Sequence, residues 1–135
     1  MTLTRKRSIG AALLAAALLI PACGSDTAAF ELTSAVESQQ LLAEPLPGLT
    51  ILDIRTPDEF ASGHIAGATN LDFYEPQFAG WLDDLDKDTP YLVYCRSGNR
   101  SASAIETMKS LGFAEVYELD GGIVSWAQSG LPLEG

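Results

Sequence analysis

The segment YLVYCRSGNRSASAIETMKSLG, residues 91–112, contains the strand, loop and helix signals that decide the fold. It opens with the apolar run YLVY, which is typical of a strand buried on both faces. A loop with one glycine follows, and Ile105, Met108 and Leu111 then recur on one helical face until Gly112 supplies a left-handed stop. A buried strand that turns into an amphipathic helix predicts a parallel α/β sheet.

The same alternation of strand and helix signals extends through the rest of the chain. We expect a single α/β domain with helices on both faces of the sheet. Because reactive loops lie at the carboxyl ends of the strands in such sheets, Asp53, Arg55 and Cys95 are expected at one edge. Further strands are predicted at residues 49–54 and 115–119, with a weaker one at 68–73; helices are predicted at 34–42, 77–85 and 100–111, and from the capping box TPDE at 56–59.

The composition excludes several classes of function. The 135 residues suffice for one ordinary domain, and 18 Asp and Glu against 8 Lys and Arg give a net charge of −10. A body this acidic repels nucleic acid, so no nucleic-acid partner is expected. Two cysteines and one histidine are too few for a zinc site made of soft ligands. We expect no metal and no other cofactor.

The amino-terminal part of the chain is predicted to be an export signal. Three basic residues at 5–7 precede an apolar stretch too short to span a bilayer, which is typical of a signal peptide, here residues 1–22. The residues before Cys23, IPA, resemble the lipobox of bacterial lipoproteins, with a proline where a small residue is more usual. We therefore expect an acylated, palmitate-type Cys23 that anchors the protein to a bacterial membrane on its extracytoplasmic side.

Two boundaries follow from this interpretation. Residues 23–29 are predicted to be the lipidated cysteine and a flexible tether, and residues 30–135 the folded domain. If Cys23 is not lipidated, the protein is expected to be secreted or periplasmic.

The loop after the strand at residues 91–94 carries the residues expected to do chemistry. Cys95 leaves a buried strand and faces the amides of a glycine-containing loop and a helix amino terminus, which stabilise a thiolate. Arg96 and Arg100 add positive charge. At an ordinary pKa of about 8.5 only about 3% of a thiol is ionised at neutral pH, and lowering that pKa by about two would ionise most of it. The alternative, an inert buried cysteine, has no use for these flanking residues.

Three motifs together carry a family resemblance. LDIRTPDEFASGHIAGATNL, residues 52–71, resembles the first signature of rhodanese domains, D-x-R-x-x-x-E-[FY]-x-x-G-H-I-x-G-A-x-N, at every specified position. Residues 95–101 resemble the active-site loop of that family, and LDGGIVSW, residues 119–126, resembles its closing helix motif. The resemblance covers residues from about 30 to 134 and implies one rhodanese-like domain with a five-stranded parallel sheet.

The resemblance implies a sulfurtransferase. Cys95 would attack the outer sulfur of a small donor such as thiosulfate, carry that sulfur as a persulfide and pass it to a thiophilic acceptor. Arg96 and Arg100 are suited to bind an anionic donor and to stabilise departing sulfite. Asp53 and Arg55 are expected to support the site. The loop expected to bind substrate and persulfide consists of Arg96, Ser97, Gly98, Asn99 and Arg100.

Other functions remain open on the sequence alone. A phosphatase or arsenate reductase of related architecture would use the same amide cradle, but its loop has five residues between cysteine and arginine where this chain has four. A non-catalytic binding or sensor module commonly lacks the cysteine that this chain retains. A Cys–His hydrolase would use His64, for which a structural role is the simpler interpretation.

Overall fold

The computed structural model describes residues 27–135, so the predicted signal peptide and Cys23 lie outside the described residues. Within this range strands and helices alternate along the chain. No helix in the described range is long and apolar enough to cross a membrane. The elements are β1 (Ala29–Thr33), α1 (Ala35–Ala43), β2 (Thr50–Asp53), α2 (Pro57–Ala61), β3 (Thr69–Asn70), α3 (Phe78–Asp84), β4 (Tyr91–Tyr94), α4 (Asn99–Leu111), β5 (Glu115–Leu119) and α5 (Gly122–Gln128).

The strands form one parallel sheet with the order β1-β5-β4-β2-β3. The fold class predicted from the sequence, α/β with a five-stranded parallel sheet, is confirmed. Strand β4 lies at the centre, and all four of its residues are buried. The last residues of β2 and β4, Asp53 and Tyr94, pair with each other. The segments that follow them, with Arg55 and Cys95, therefore leave the sheet at the same edge.

Helices cover both faces of the sheet, as predicted. Alternate residues of a strand point to opposite faces, so β4 contributes Val93 to one core and Leu92 to the other. Helices α3 and α4 line the first core, with Leu82 and Met108 fully buried. Helices α1 and α5 line the second core, where Trp126 is buried.

The local start and stop signals act as the sequence predicted. Ser34 and Thr56 each begin a helix with a complete capping box, in which the glutamate three residues later accepts the cap's backbone N–H. Gly112 ends α4 with a φ of 84°, a left-handed conformation that favours glycine.

The structure differs from the sequence prediction at the first strand. The apolar pattern gave no strand before residue 34, but β1 forms there and begins at Ala29, whose N–H donates to the carbonyl of Ala114. The predicted tether is therefore one residue too long. Strand β1 pairs only with β5, and its Leu32 is 63% exposed, so it lacks the apolar character by which buried strands are recognised.

Candidate active site

Cys95 follows β4 directly and lies beneath a short loop. Only 1% of the surface of Cys95 is exposed to solvent, and its thiol is free. The backbone N–H of Gly98 donates to Sγ at 3.1 Å, and that of Ser101 donates at 3.4 Å. Gly98 reaches this position with a φ of 106°, which a residue with a side chain rarely adopts. The strand, the loop and the first turn of α4 thus place backbone donors around one sulfur atom.

These contacts change the acidity of the thiol. Burial is the largest single effect and raises the pKa of Cys95, because it disfavours the charged form. The side-chain hydrogen bond with Ser101 and the hydrogen bonds from the amides of Ser101, Gly98 and Ser97 act in the opposite direction. Together they outweigh burial, so the pKa of Cys95 is lowered from its ordinary value. The amide cradle expected from the sequence is present, and it favours a thiolate.

The start of α5 holds the loop in place. The N–H groups of Ile123 and Val124 donate to the carbonyls of Cys95 and Arg96, at 2.9 and 3.1 Å. This approach requires Gly122, because a Cβ there would lie 2.5 Å from both carbonyl oxygens. The second glycine of the LDGG motif is therefore required by this close approach, whereas the sequence identified the motif only by its resemblance.

The arginines of the loop have different surroundings. Arg100 donates from both terminal nitrogens to the carboxylate of Glu59, each at 2.8 Å, and its guanidinium carbon lies 5.4 Å from the Tyr74 ring centroid. The hydrogen bond with Glu59 raises the pKa of Arg100, and that same bond lowers the pKa of Glu59 to about 2. Both terminal nitrogens of Arg100 are thus engaged by Glu59, and the expectation that Arg100 binds a donor anion stays a prediction. Arg96 is exposed.

The remaining loop residues are placed at the surface or at the helix start. Ser97 is exposed and contributes its amide to the sulfur. Asn99 is exposed and is the first residue of α4, with Gly98 as the cap before it. The loop predicted from the sequence is therefore assembled around Cys95 through its backbone rather than through its side chains.

Asp53 and Arg55 form a buried pair at the same edge. Both oxygens of Asp53 accept from Nε of Arg55 at 3.0 Å, and one also accepts the Arg55 backbone N–H at 2.9 Å. Arg55 donates further to the carbonyl of Gly63 at 2.7 Å. Their side chains are 0% and 5% exposed. The pair therefore holds the segment after β2, which leads into Glu59 and so to Arg100. That the pair supports the site stays a prediction.

His64 has structural partners in this fold. Its Nδ1 lies 3.0 Å from the carbonyl of Phe60, and its ring stacks on the Phe60 ring with centroids 3.7 Å apart. Its backbone pairs with Glu134 in an antiparallel bridge. These contacts account for the histidine and give no support to a Cys–His hydrolase.

Two polar residues near Cys95 were missed by the sequence analysis. The hydroxyl oxygen of Ser101 lies 3.5 Å from the sulfur, and Glu118 of β5 brings a carboxylate oxygen to 2.6 Å from that same hydroxyl. Ser101 is fully buried. Its position in the first turn of a helix that follows a cysteine loop was a usable signal. Glu118 gave none, because its proximity depends on the pairing of β4 with β5.

No metal centre accompanies the cysteine in the part of the chain that the structure describes, since no three His, Cys, Asp or Glu side chains there are grouped to hold an ion. The reactive groups that the loop places at this edge are the sulfur, the backbone amides and the side chain of Arg96. A buried cysteine held by loop amides at the carboxyl edge of a parallel sheet defines the class: an α/β protein with a cysteine loop whose backbone N–H groups converge on the sulfur.

Comparison with known proteins gives the family. The profile of the rhodanese-like domain matches residues 34–129. The chain is 41% identical over 91 residues to the thiosulfate sulfurtransferase GlpE of Pseudomonas entomophila, covering 67% of this chain and 82% of that enzyme. The chain belongs to the rhodanese-like family.

Solved structures agree with this assignment. A rhodanese-related protein from Thermoplasma volcanium superposes with a TM-score of 0.66 at 32% identity, over 77% of this chain and 97% of that one. A protein of unknown function from Rhodopseudomonas palustris, described as a possible tyrosine phosphatase, gives a TM-score of 0.68 at 25% identity, over 78% and 85% of the two chains. Because similar folds carry different descriptions, the function has to be argued from the loop.

Proposed function

We propose that the protein is a thiosulfate sulfurtransferase that carries sulfur as a persulfide on Cys95. The observation that carries the proposal is the buried Cys95 sulfur with backbone donors at 3.1 and 3.4 Å and a lowered pKa. A thiolate is the nucleophile that sulfur transfer needs. The similarity to GlpE thiosulfate sulfurtransferases supports the choice of donor.

The first half of the reaction is a displacement at sulfur. The Cys95 thiolate attacks the outer sulfur of thiosulfate, a new sulfur–sulfur bond forms, and the bond inside thiosulfate breaks with its electron pair leaving as sulfite. Charge is conserved, because a thiolate and a dianion become a persulfide anion and sulfite. Arg96, exposed in the loop, is placed to attract the donor dianion, since Arg100 is paired with Glu59.

The second half returns the thiolate. A thiophilic acceptor, cyanide in an assay, attacks the outer sulfur of the persulfide, and the electrons of the broken bond return to Cys95. The amides of Gly98 and Ser101 are suited to hold negative charge near the sulfur throughout, so neither half requires a side-chain base.

The test is a comparison of the full chain with a Cys95→Ser variant. We expect the unchanged protein to form thiocyanate from thiosulfate and cyanide, and to gain the mass of one sulfur atom after thiosulfate alone. The serine variant should do neither while remaining folded. Turnover of p-nitrophenyl phosphate without any thiocyanate would instead indicate a phosphatase, and a protein inactive in both assays would indicate a binding or sensor module.

We also propose that the protein is lipidated on Cys23 and held at the extracytoplasmic side of a bacterial membrane. The support is the order of a basic segment, a short apolar segment and IPAC at residues 20–23. A Cys23→Ala variant expressed in a bacterial host should lose its incorporation of labelled palmitate and leave the membrane fraction. Membrane attachment and processing that are unchanged in this variant would refute the proposal.

A further inference from the structure

The Ser101 hydroxyl has one proton and three acceptors within reach. Its oxygen lies 3.5 Å from the sulfur of Cys95, 3.1 Å from the carbonyl of Gly98 and 2.6 Å from a carboxylate oxygen of Glu118. A hydroxyl donates one hydrogen bond and accepts others through its lone pairs. Only one of the three acceptors therefore receives the proton at any time.

Glu118 is the strongest of these acceptors. It is a carboxylate at the shortest distance, and a charged acceptor forms a hydrogen bond about twice as strong as a neutral one. When the proton points to Glu118, the Ser101 oxygen presents lone pairs to Cys95. A thiol can then donate to Ser101, as it does in the structure, but a thiolate loses a donor. The glutamate and the thiolate compete for the same proton.

We propose that Glu118 is a positioning residue that restrains ionisation of Cys95 by holding the hydroxyl proton of Ser101. Ionisation of the cysteine draws that proton toward the sulfur and leaves the Glu118 carboxylate without this donor. The reactivity of the cysteine is thus coupled to a side chain on β5 that does not itself touch the sulfur.

The charged groups near Glu118 do not remove its competition with the Cys95 thiolate for the Ser101 proton. Glu118 lines a pocket of about 180 Å³ between β1, α4 and β5, together with Glu31 and Lys109. The ammonium of Lys109 pairs with Glu106 at 2.7 Å. Helix α5, which also contacts the cysteine loop, has the sequence GIVSWAQ and holds no titratable side chain.

The charged groups packed beside Cys95 are also paired, apart from the exposed Arg96 of the loop. Arg100 at the start of α4 is the cation whose charge interacts with Cys95, and it is bound to Glu59 of α2. Asp53 of β2 is bound to Arg55. The hydroxyl of Tyr94 of β4 accepts the backbone N–H of Ile65 and points to the other face of the sheet. The Ser101 hydroxyl is therefore the hydrogen-bond donor whose proton can point either to the sulfur or to Glu118.

The test measures the thiol directly. The rate of alkylation of Cys95 by iodoacetamide is followed against pH in the full chain with Cys23→Ala, so that one thiol reacts. In a Glu118→Gln variant the amide can donate to the Ser101 oxygen and release the hydroxyl proton toward the sulfur. We expect the midpoint of the alkylation profile, the pKa of Cys95, to fall by about one pH unit. A Glu118→Ala variant should show a fall in the same direction.

The same substitution in a Ser101→Ala protein separates the effect of the hydroxyl proton from the effect of removing the charge of Glu118. In a Ser101→Ala protein, folded by circular dichroism, Glu118→Gln should leave the midpoint within about 0.3 pH units, since the shared proton is gone. The matched control is Glu115→Gln, on the same strand, where the carboxylate accepts from Tyr117. This control should leave the midpoint unchanged.

Two outcomes would overturn the proposal: no fall in the midpoint with Glu118→Gln, or an equal fall in the Ser101→Ala background. The second would show that the charge of Glu118 acts on Cys95 directly. The inference concerns the cysteine of the proposed function, yet alkylation needs no sulfur donor. A failure here therefore leaves sulfur transfer untouched, and an absence of thiocyanate leaves this test valid.

Discussion

Two arginines separated by three residues in the loop have different surroundings. Arg100 is the larger contributor to structure, since it joins α4 to Glu59 of α2 through two hydrogen bonds of 2.8 Å. Arg96 is exposed, and its carbonyl rather than its guanidinium is used to hold the loop, through Val124. The residue type alone does not show which arginine is paired; the location of the nearest carboxylate does.

This difference predicts how the two positions respond to mutation. Arg96→Ala should lower kcat/KM for thiosulfate about tenfold, because a charge-assisted contact to the donor dianion is lost, with unfolding unchanged. Steady-state assays and urea titration measure the two effects. The prediction fails if Arg96→Ala turns over thiosulfate as the unchanged protein does, or if its loss of activity matches a loss of stability.

The buried pair of Asp53 and Arg55 gives a second prediction at this scale. Asp53→Asn leaves a guanidinium unpaired in a site that is 5% exposed, and we expect the free energy of unfolding to fall by about 3 to 5 kcal/mol. Glu106→Gln is the control, since it removes a carboxylate from an exposed pair with Lys109 and should cost less than about 0.5 kcal/mol. Urea unfolding of both variants decides the comparison; equal losses would contradict it.

At the scale of elements, the contact between α2 and α4 depends on the charge of Glu59. Its hydrogen bond with Arg100 is the main reason that its pKa falls from 4.5 to about 2. A carboxyl whose folded pKa is lowered stabilises the fold above the unfolded pKa, and this contribution disappears as the pH drops from about 4.5 to about 2.

Glu59→Gln should therefore destabilise the protein at neutral pH and have little effect near pH 2. We expect a loss of about 1 to 2 kcal/mol at pH 7, reduced from the full linkage value because the Glu59 side chain is 30% exposed. Unfolding measured across this pH range checks the sign. A difference between the two proteins that stays constant down to pH 2 would show that the carboxylate is not responsible.

The junction of α5 with the cysteine loop gives a prediction about function. Gly122→Ala places a Cβ where only 2.5 Å separates it from the carbonyl oxygens of Cys95 and Arg96, so the loop must shift. We expect kcat/KM for thiosulfate to fall by about tenfold or more, as misplaced amides no longer meet the sulfur. Gly130→Ala is the control: its φ of 73° imposes similar backbone strain, but no atom lies within 4 Å of the added carbon. Activity lost equally in both variants would refute this explanation.

The elements also show what a sequence can predict. Strand β4, the capping boxes and the stop at Gly112 follow from local patterns, and they are found where those patterns occur. Strand β1 was missed because an edge strand with an exposed Leu32 carries little hydrophobic signal.

In the active site too, some features follow from local sequence patterns and others do not. The position of Cys95 and its amides was predictable, because a strand, a glycine loop and a helix are adjacent in the sequence. The partners of Arg100 and Ser101 were not, because Glu59 and Glu118 lie 41 and 17 residues away and meet them only through the sheet. Contacts across the sheet decide which charges at the loop are paired, and local patterns do not contain them.

At the scale of the whole molecule, the acidic charge should limit stability. A net charge of −10 produces self-repulsion that salt screens. We expect the melting temperature to rise by about 2 to 5 °C when NaCl is increased from about 10 to about 200 mM at neutral pH. Near pH 4.3, the isoelectric point, the same addition should have no such effect. A rise of equal size at both pH values would indicate a general salting effect instead.

The depth of Cys95 has a chemical consequence for any exchange with large thiols. With 1% of the residue exposed, a bulky partner cannot reach the sulfur attached to its Cβ. One further sulfur atom extends the reach by about 2 Å, the length of a sulfur–sulfur bond. If Cys95 carries a persulfide, a bulky thiol contacts the outer, transferable sulfur before it reaches the sulfur that is bonded to Cβ. Steric depth thus favours delivery of sulfur over cross-linking of the two proteins.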